Sequence, residues 1–311
     1  MLSKIIHLFR FIYIPISRSK LLFYITNKPF QSDIKYIKNK FRKVFGYELD
    51  LDNPRNFNEK LQWIKLYDRK PIYTNMVDKI LAKEYVASIV GEEYVIPTLK
   101  VWNNPKEIDF DNLPEQFAMK CNHNSGGGMY ICKDKSLLDE KEIRKSLKKA
   151  LKRSDFYVNR EWPYKNVERK IFIEELMKDE NVPEGQNEGL IDYKFYCFNG
   201  EPKFLYIGFA NMVNNKKHDY LSFYNLDFTP ADFGRSDHEK IPFEIKKPEN
   251  YEKMIEIARK LAQNTLFVRI DLYNLSGKIK FSECTFFPGG GMAAFEPDEA
   301  NLKIGQMIIL P

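Results

Sequence analysis

Phe267-Val-Arg-Ile-Asp-Leu-Tyr273, a turn, and then Lys280-Phe-Ser-Glu-Cys-Thr-Phe-Phe-Pro-Gly-Gly-Gly-Met292 decide how this chain is read. Both runs alternate as strands do, so Val268, Ile270 and Leu272 fall on one face and Arg269 and Asp271 on the other. Glu283 and Thr285 likewise share a face across the turn. A register that joins these faces puts an arginine, two carboxylates and a hydroxyl on one surface. Carboxylates from adjacent strands suit magnesium beside triphosphate oxygens, and a neighbouring arginine suits a transferring phosphoryl group. The same pattern also serves a cross-strand ion pair on a solvated face.

Working outward, the preceding segments alternate helical and strand periodicity. Residues 56–67 carry Phe57, Leu61, Ile64 and Leu66 at helical spacing, with Asn56 or Asn58 as the cap. A second helix is expected from about Asn75 to Val90, stopped by Gly91. Strands are expected over 94–101, 116–122 and 170–176, and a charged amphipathic helix over 140–152. Residues 178–189 read as a polar loop. Asn199-Gly200 between alternating runs (191–198 and 203–209) predicts a hairpin, and 248–264 holds a helix. Helices interspersed with hairpin-linked strands give an α+β chain. Four segments are expected: a basic helical arm (1–50), a helical region (51–90), a first lobe (91–176) and a second lobe (177–311).

Composition narrows the class. At 311 residues, with 43% hydrophobic and 30% charged, the chain is a globular protein with room for lobes around a site. Its net charge of +6 is uneven, because residues 1–45 hold ten Lys or Arg against the single acid Asp33. The remainder is slightly acidic, which argues against a nucleic-acid-binding body. In the arm, Lys4, Arg10, Arg18 and Lys20 flank Phe9, Phe11, Leu21, Leu22 and Phe23, a pattern that suits an anionic membrane surface or a basic helix packed on the body. The apolar run 5–16 is too short to span a bilayer. Cys121, Cys132, Cys197 and Cys284 form no metal-binding spacing and suit a reducing compartment.

Further candidates stand before the hairpin. Lys120 ends a strand before Ser125, Gly126, Gly127 and Gly128, a loop whose backbone N–H groups can close over phosphates, or a plain flexible turn. Lys79 sits at a helix start, where lysines are ordinarily solvated. Glu174 and Glu175 end an apolar strand, as edge residues reaching water also do. His123 suits either a phosphate contact or a structural hydrogen bond.

The order of these motifs resembles the ATP-grasp superfamily, in which D-alanine–D-alanine ligase has the same succession. A closer resemblance covers about residues 52–311. It rests on Asn56-Phe57-Asn58-Glu59-Lys60-Leu61-Gln62-Trp63, Lys120-Cys121-Asn122-His123, Arg160-Glu161-Trp162-Pro163-Tyr164, Asp192-Tyr193-Lys194-Phe195 and Thr285-Phe286-Phe287-Pro288-Gly289-Gly290-Gly291. These are similar to the TupA-like ATP-grasp family, associated with teichuronopeptide and other bacterial surface-polysaccharide biosynthesis.

The resemblance implies an ATP-grasp fold, two sheet lobes clasping ATP behind an N-terminal helical region. It implies ATP and Mg2+ as cofactors, and ligation of an amino acid or amine to a uronic-acid carboxylate, the acceptor a free sugar or a lipid-linked chain. Lys79 and Lys120 would hold phosphates under the Ser125, Gly126, Gly127 and Gly128 loop. Glu174 and Glu175 would present backbone to adenine, and Asp192 would take the ribose. Asp271, Glu283 and Thr285 would hold magnesium, although Glu-x-Thr here replaces the usual Glu-x-Asn. Arg269 would steady the γ-phosphoryl group, Lys194 would bind an anionic substrate, and Glu161, Trp162 and Tyr164 would line the acceptor side. A cytoplasmic enzyme, peripheral on the inner face of the plasma membrane, fits the basic arm. Competing readings are a sugar kinase on the same fold, a glycosyltransferase using Asp50-Leu51-Asp52, and a non-catalytic scaffold.

Overall fold

The computed structural model describes residues 32–124, 128–179, 190–213 and 216–311. The arm residues 1–31, the loop residues Ser125, Gly126 and Gly127, and residues 180–189 lie outside the described residues.

Two antiparallel sheets organise the described chain. The smaller contains β1 (Thr98–Trp102), β2 (Phe117–Cys121), β3 (Met129–Cys132) and β4 (Ile171–Glu174), in the order β1-β4-β2-β3. The larger contains β5 (Asp192–Phe198), β6 (Glu201–Val213), β7 (Lys216–Asn225), β8 (Phe267–Leu275) and β9 (Lys278–Thr285), in the order β7-β6-β5-β8-β9. The expected α+β class holds. Left-handed backbone at Asn199-Gly200 and at Ser276-Gly277 closes the β5–β6 and β8–β9 hairpins, as two-residue turns between twisted strands require.

Helices supply the remaining walls. α1 (Asp33–Phe45) begins on Ser32, whose side chain accepts from Lys35 N, and ends at Gly46. α2 (Phe57–Tyr67) opens on a full capping box between Asn56 and Glu59. Then follow α3 (Ile72–Val77), α4 (Leu81–Val90), α5 (Glu140–Ala150), α6 (Asp155–Asn159), α7 (Tyr251–Leu261) and α8 (Asp298–Gln306). α7 buries Met254, Ile257, Ala258 and Leu261 in the main core, with Phe195, Val268 and Ile270 of the larger sheet. A second core under the smaller sheet joins Phe117, Met119 and Ile171 to Ile143 and Leu147 of α5. No helix among the described residues is long and apolar enough to cross a membrane.

One expected element is corrected. The helix read from about Asn75 to Val90 is two helices, broken at residues 78–80. Asp78 turns extended there, and its Oδ1 accepts from the N–H groups of Ile80 (2.9 Å) and Leu81 (3.3 Å). An Asp in this role is a helix cap, and it competes with helix continuation.

Candidate functional site

The β8–β9 register brings the two quoted runs together as their alternation requires. Arg269 pairs with Thr285 and Asp271 with Glu283, while Lys194 of β5 lies opposite Asp271. Arg269 grips Asp271 in bidentate fashion, Nε to Oδ1 and Nη2 to Oδ2, both at 2.6 Å. Nη2 also donates to Thr285 Oγ1 at 3.0 Å and Glu283 Oε1 at 3.3 Å, and Nη1 to the Tyr206 hydroxyl at 3.3 Å. Lys194 Nζ lies 2.6 Å from Asp271 Oδ2 and 3.1 Å from Asp192 Oδ2. Lys79 Nζ reaches Glu283 Oε2 at 3.2 Å.

This is not a solvated ion pair. Asp271 is fully buried and Arg269 only 8% exposed. Three cations and three carboxylates share the face, and losing one partner from such a buried pair costs about 3–5 kcal/mol. Burial pushes Glu283 up, but Lys79, Lys194 and Arg269 outweigh it and hold the carboxylate well below its usual range. Burial raises Asp192, and Lys194 offsets this only in part. Among the described residues Asp192 Oδ1 has no hydrogen-bond partner though buried, a costly state that a ligand donor would relieve.

The second cluster lies at the smaller sheet. Glu174 ends β4, and its carboxylate is bound by Lys120 of β2 and by Lys83 of α4, the latter at 2.7 Å. Burial raises it, and the two lysines together bring it below its usual value. Glu175 N–H donates to Pro97 O at 3.3 Å. Gly128 has a φ of 69°, and a Cβ there would stand 2.5 Å from Ala150 Cβ, so this end of the loop demands glycine.

Lys79 sits in the break between α3 and α4, placed by a residue whose role the motif reading missed. Asn122 is fully buried. Its carbonyl accepts from Lys79 N, its side-chain amide donates to Asp78 Oδ2 and Glu168 O, and its Oδ1 accepts from Lys170 N. Its place in Lys120-Cys121-Asn122-His123 was the available signal. His123, the neighbouring candidate, makes a structural bond: Nε2 lies 3.2 Å from Arg153 O. Burial, then Arg169, lower its pKa to about 4.

A cavity of about 160 Å³ opens from the charged face. Arg269, Glu283 and Thr285 of the larger sheet line it together with Arg153, Asp155, Asn159, Glu161 and Tyr164 from in and around α6. The Pro288-Gly289-Gly290 turn closes the end. All three glycines 289–291 are left-handed, and α2 holds the carbonyls of Gly290 and Gly291. Lys65 Nζ donates to Gly290 O at 2.7 Å, Gln62 Nε2 to Gly291 O at 2.8 Å, and Asn58 Nδ2 to Gly291 O at 3.0 Å. Asn58, Gln62 and Lys65 form a polar stripe at helical spacing beside apolar Phe57, Leu61 and Ile64, a legible signal for a helix that grips backbone.

Residues 59–309 match the family described as TupA-like ATPgrasp. No curated protein matches the chain. Among solved structures, D-alanine–D-alanine ligase from Helicobacter pylori is 14% identical with a TM-score of 0.42, over 82% of this chain and 71% of that one. The Bacillus anthracis D-alanine–D-alanine ligase gives 15% and 0.40, over 82% and 69%. The ATP-grasp ligase PsnB with a minimal precursor gives 12% and 0.37, over 74% of this chain and 59% of that chain's length.

Proposed function

The chain belongs to the TupA-like ATP-grasp family, and from that premise we propose that it is an ATP- and magnesium-dependent ligase joining an amine to a carboxylate. The observation that carries this reading is the one buried face on which Lys79, Lys194 and Arg269 surround Asp192, Asp271 and Glu283 beside Thr285. Converging cations of this kind bind phosphates and offset charge as a phosphoryl group moves.

The residues fit the ligands the reading requires. Asp192 Oδ1, without a hydrogen-bond partner among the described residues, is an acceptor for a ribose hydroxyl. Glu283 Oε1 and Thr285 Oγ1, 3.4 Å apart, are hard oxygen donors for magnesium. Asp271 joins them once Arg269 or Lys194 yields an oxygen. Among the described residues no three His, Cys, Asp or Glu are grouped to hold a metal ion alone. That suits an ion that takes one or two carboxylates and completes its shell with phosphate oxygens and water. Magnesium supplies neutralisation of phosphate charge when bound.

In this reading Lys79 and Lys120 hold the α- and β-phosphates, residues 125–128 cover them, Glu174 and Glu175 present backbone to adenine, and the two sheets are the two lobes. A substrate carboxylate oxygen, oriented by Lys194, attacks the γ-phosphorus in line while the bond to the ADP oxygen breaks. Arg269 steadies the transferring group. The acyl phosphate then meets an amine, and inorganic phosphate leaves. Excluding water protects the acyl phosphate from hydrolysis.

The family resemblance supports an amino acid as amine and a uronic-acid-containing surface polysaccharide, or its precursor, as carboxylate. The basic residues 1–45 support contact with an anionic membrane where a lipid-linked acceptor is built. Vesicles with anionic lipid should sediment the protein and neutral vesicles should not; equal binding, or none, removes that contact. The ligase reading is tested by magnesium-dependent release of ADP and phosphate with a panel of uronic acids and amino acids. An amide-sized mass gain is expected, whereas a phosphorylated sugar would replace the ligase with a kinase.

A further inference from the structure

The cavity is lined by both signs of charge, Arg269 and Glu283 from the larger sheet and Arg153, Asp155 and Glu161 from the segment in and around α6. Arg269 stands where an acyl phosphate would sit. Asp155 and Glu161, which line the same cavity, are both buried acids, at 1% and 6% exposure. Arg153 Nε pairs with Asp155 Oδ1 at 3.1 Å. Glu161 differs: its hydrogen bond is from Asn159 Nδ2 to Oε1, at 2.9 Å, and among the described residues no cation stands at ion-pair distance from it.

The placement of Glu161 is set through Asn159, which is fixed from two sides. Lys40 of α1 donates to Asn159 Oδ1 and, at 3.1 Å, to Val158 O. Asn159 thereby has its amide turned to Glu161. On the other side, a Cβ at Gly290 would stand 2.8 Å from Asn159 Cγ, so glycine at 290 lets the turn close against Asn159. A buried carboxylate with an uncompleted set of donors needs them from elsewhere. An ammonium supplies three. Asp155 is already balanced by Arg153, so Glu161 is the acid of this lining that lacks a cation at ion-pair distance among the described residues, and it repels an anionic substrate.

We propose that this cavity is the amine subsite of the ligation and that Glu161 receives the amine, holding its ammonium and taking its proton as nitrogen attacks the acyl phosphate. The inference rests on the ligase reading above. The nitrogen lone pair forms the bond to the acyl carbon, and the bond from that carbon to the phosphate oxygen breaks with its electron pair leaving on phosphate. One proton of the ammonium passes to Glu161 and then to solvent. The second proton lost by nitrogen goes to the departing phosphate.

The electrostatics agree with this role. Burial raises Glu161 to about 7, opposed first by Lys65 on α2, then by the Asn159 hydrogen bond and least by Lys40 on α1, with a further push upward from Asp155 on α6. A base is most useful when its pKa lies near the working pH.

The experiment separates the two half-reactions in Glu161→Gln, using the carboxylate–amine pair that the wild type turns over in the panel. Hydroxylamine, which attacks as a neutral nucleophile, traps the acyl phosphate as a hydroxamate without an ammonium to hold. Amide formation should fall at least about 100-fold more than hydroxamate formation, with the KM for ATP little moved and part of the amide rate restored in Glu161→Asp. Equal losses of both products, or no loss, overturn the proposal. A wild type that yields no hydroxamate with any carboxylate refutes the ligase reading itself, a separate result. Thermal melts of both variants show whether folding accounts for a loss.

Discussion

Two glutamates line one cavity and live under opposite conditions. Glu283, on the sheet wall, touches Lys79 and Arg269 and is held well below the usual carboxylate range. Glu161, just after α6, has no cation at ion-pair distance among the described residues and is raised by burial to about 7. Burial acts on both in the same direction, so the difference lies in the partners. A carboxylate crowded by cations is kept ionised and suits binding a metal ion. One held only by an amide suits exchanging a proton.

Replacing Arg269 with Met should break the sheet wall most severely. Asp271 loses its bidentate partner, so ATP turnover should fall about 100- to 1000-fold, and denaturant melts should show a loss of about 3 kcal/mol. If turnover persists, the cationic face is a structural device. A pH profile sharpens the contrast at the other wall. Glu161 and the buried Lys65 of α2 titrate as a pair, both moved by burial to about 7, and protonated Glu161 cannot accept a proton, so amide formation should decline as the pair takes up its proton near pH 7. Glu283, ionised far below that, contributes nothing to this limb. A rate flat through this range argues against Glu161 as the base.

Gly290→Ala tests whether the α6 wall depends on the turn. Its Cβ would press on Asn159 from a left-handed backbone of φ 67°, costing about 1–3 kcal/mol. The KM for the amine should rise more than that for ATP. Asn56→Ala should do least, since it removes the cap of α2 and nothing at the cavity. A stability loss of about 1 kcal/mol with unchanged ATP turnover is expected; a turnover defect would mean that α2 transmits strain to the glycine turn it holds.

How much of this was legible differs between the walls. Residues 267–285 alternate so regularly that pairing one face, Arg269 to Thr285 and Asp271 to Glu283, follows from strand periodicity and a tight turn. The α6 wall comes from short helical turns, α6 and the 3-10 turn over Trp162–Asn166, where no period accumulates and only tertiary contacts decide orientation. The break at Asp78 was hidden because Ile72–Val90 is apolar at helical spacing throughout, and a single side chain overrides that pattern. Strand β7 was not read either. It opens on Lys-Lys-His-Asp at 216–219 and lies on the edge of the larger sheet, where charge is favoured and the hydrophobic signal is weak. Asn58, Gln62 and Lys65 were readable as a stripe, but their target, the carbonyls of a glycine turn about 225 residues on, was not.

The measurement that bears most directly on the ligase reading follows oxygen. A carboxylate substrate labelled with heavy oxygen is turned over with magnesium-ATP and its amine, and the phosphate and nucleotide products are weighed. An acyl phosphate places one label in inorganic phosphate, with ADP as the nucleotide, and Glu283→Ala abolishes both. Unlabelled phosphate, or AMP in place of ADP, would contradict the account.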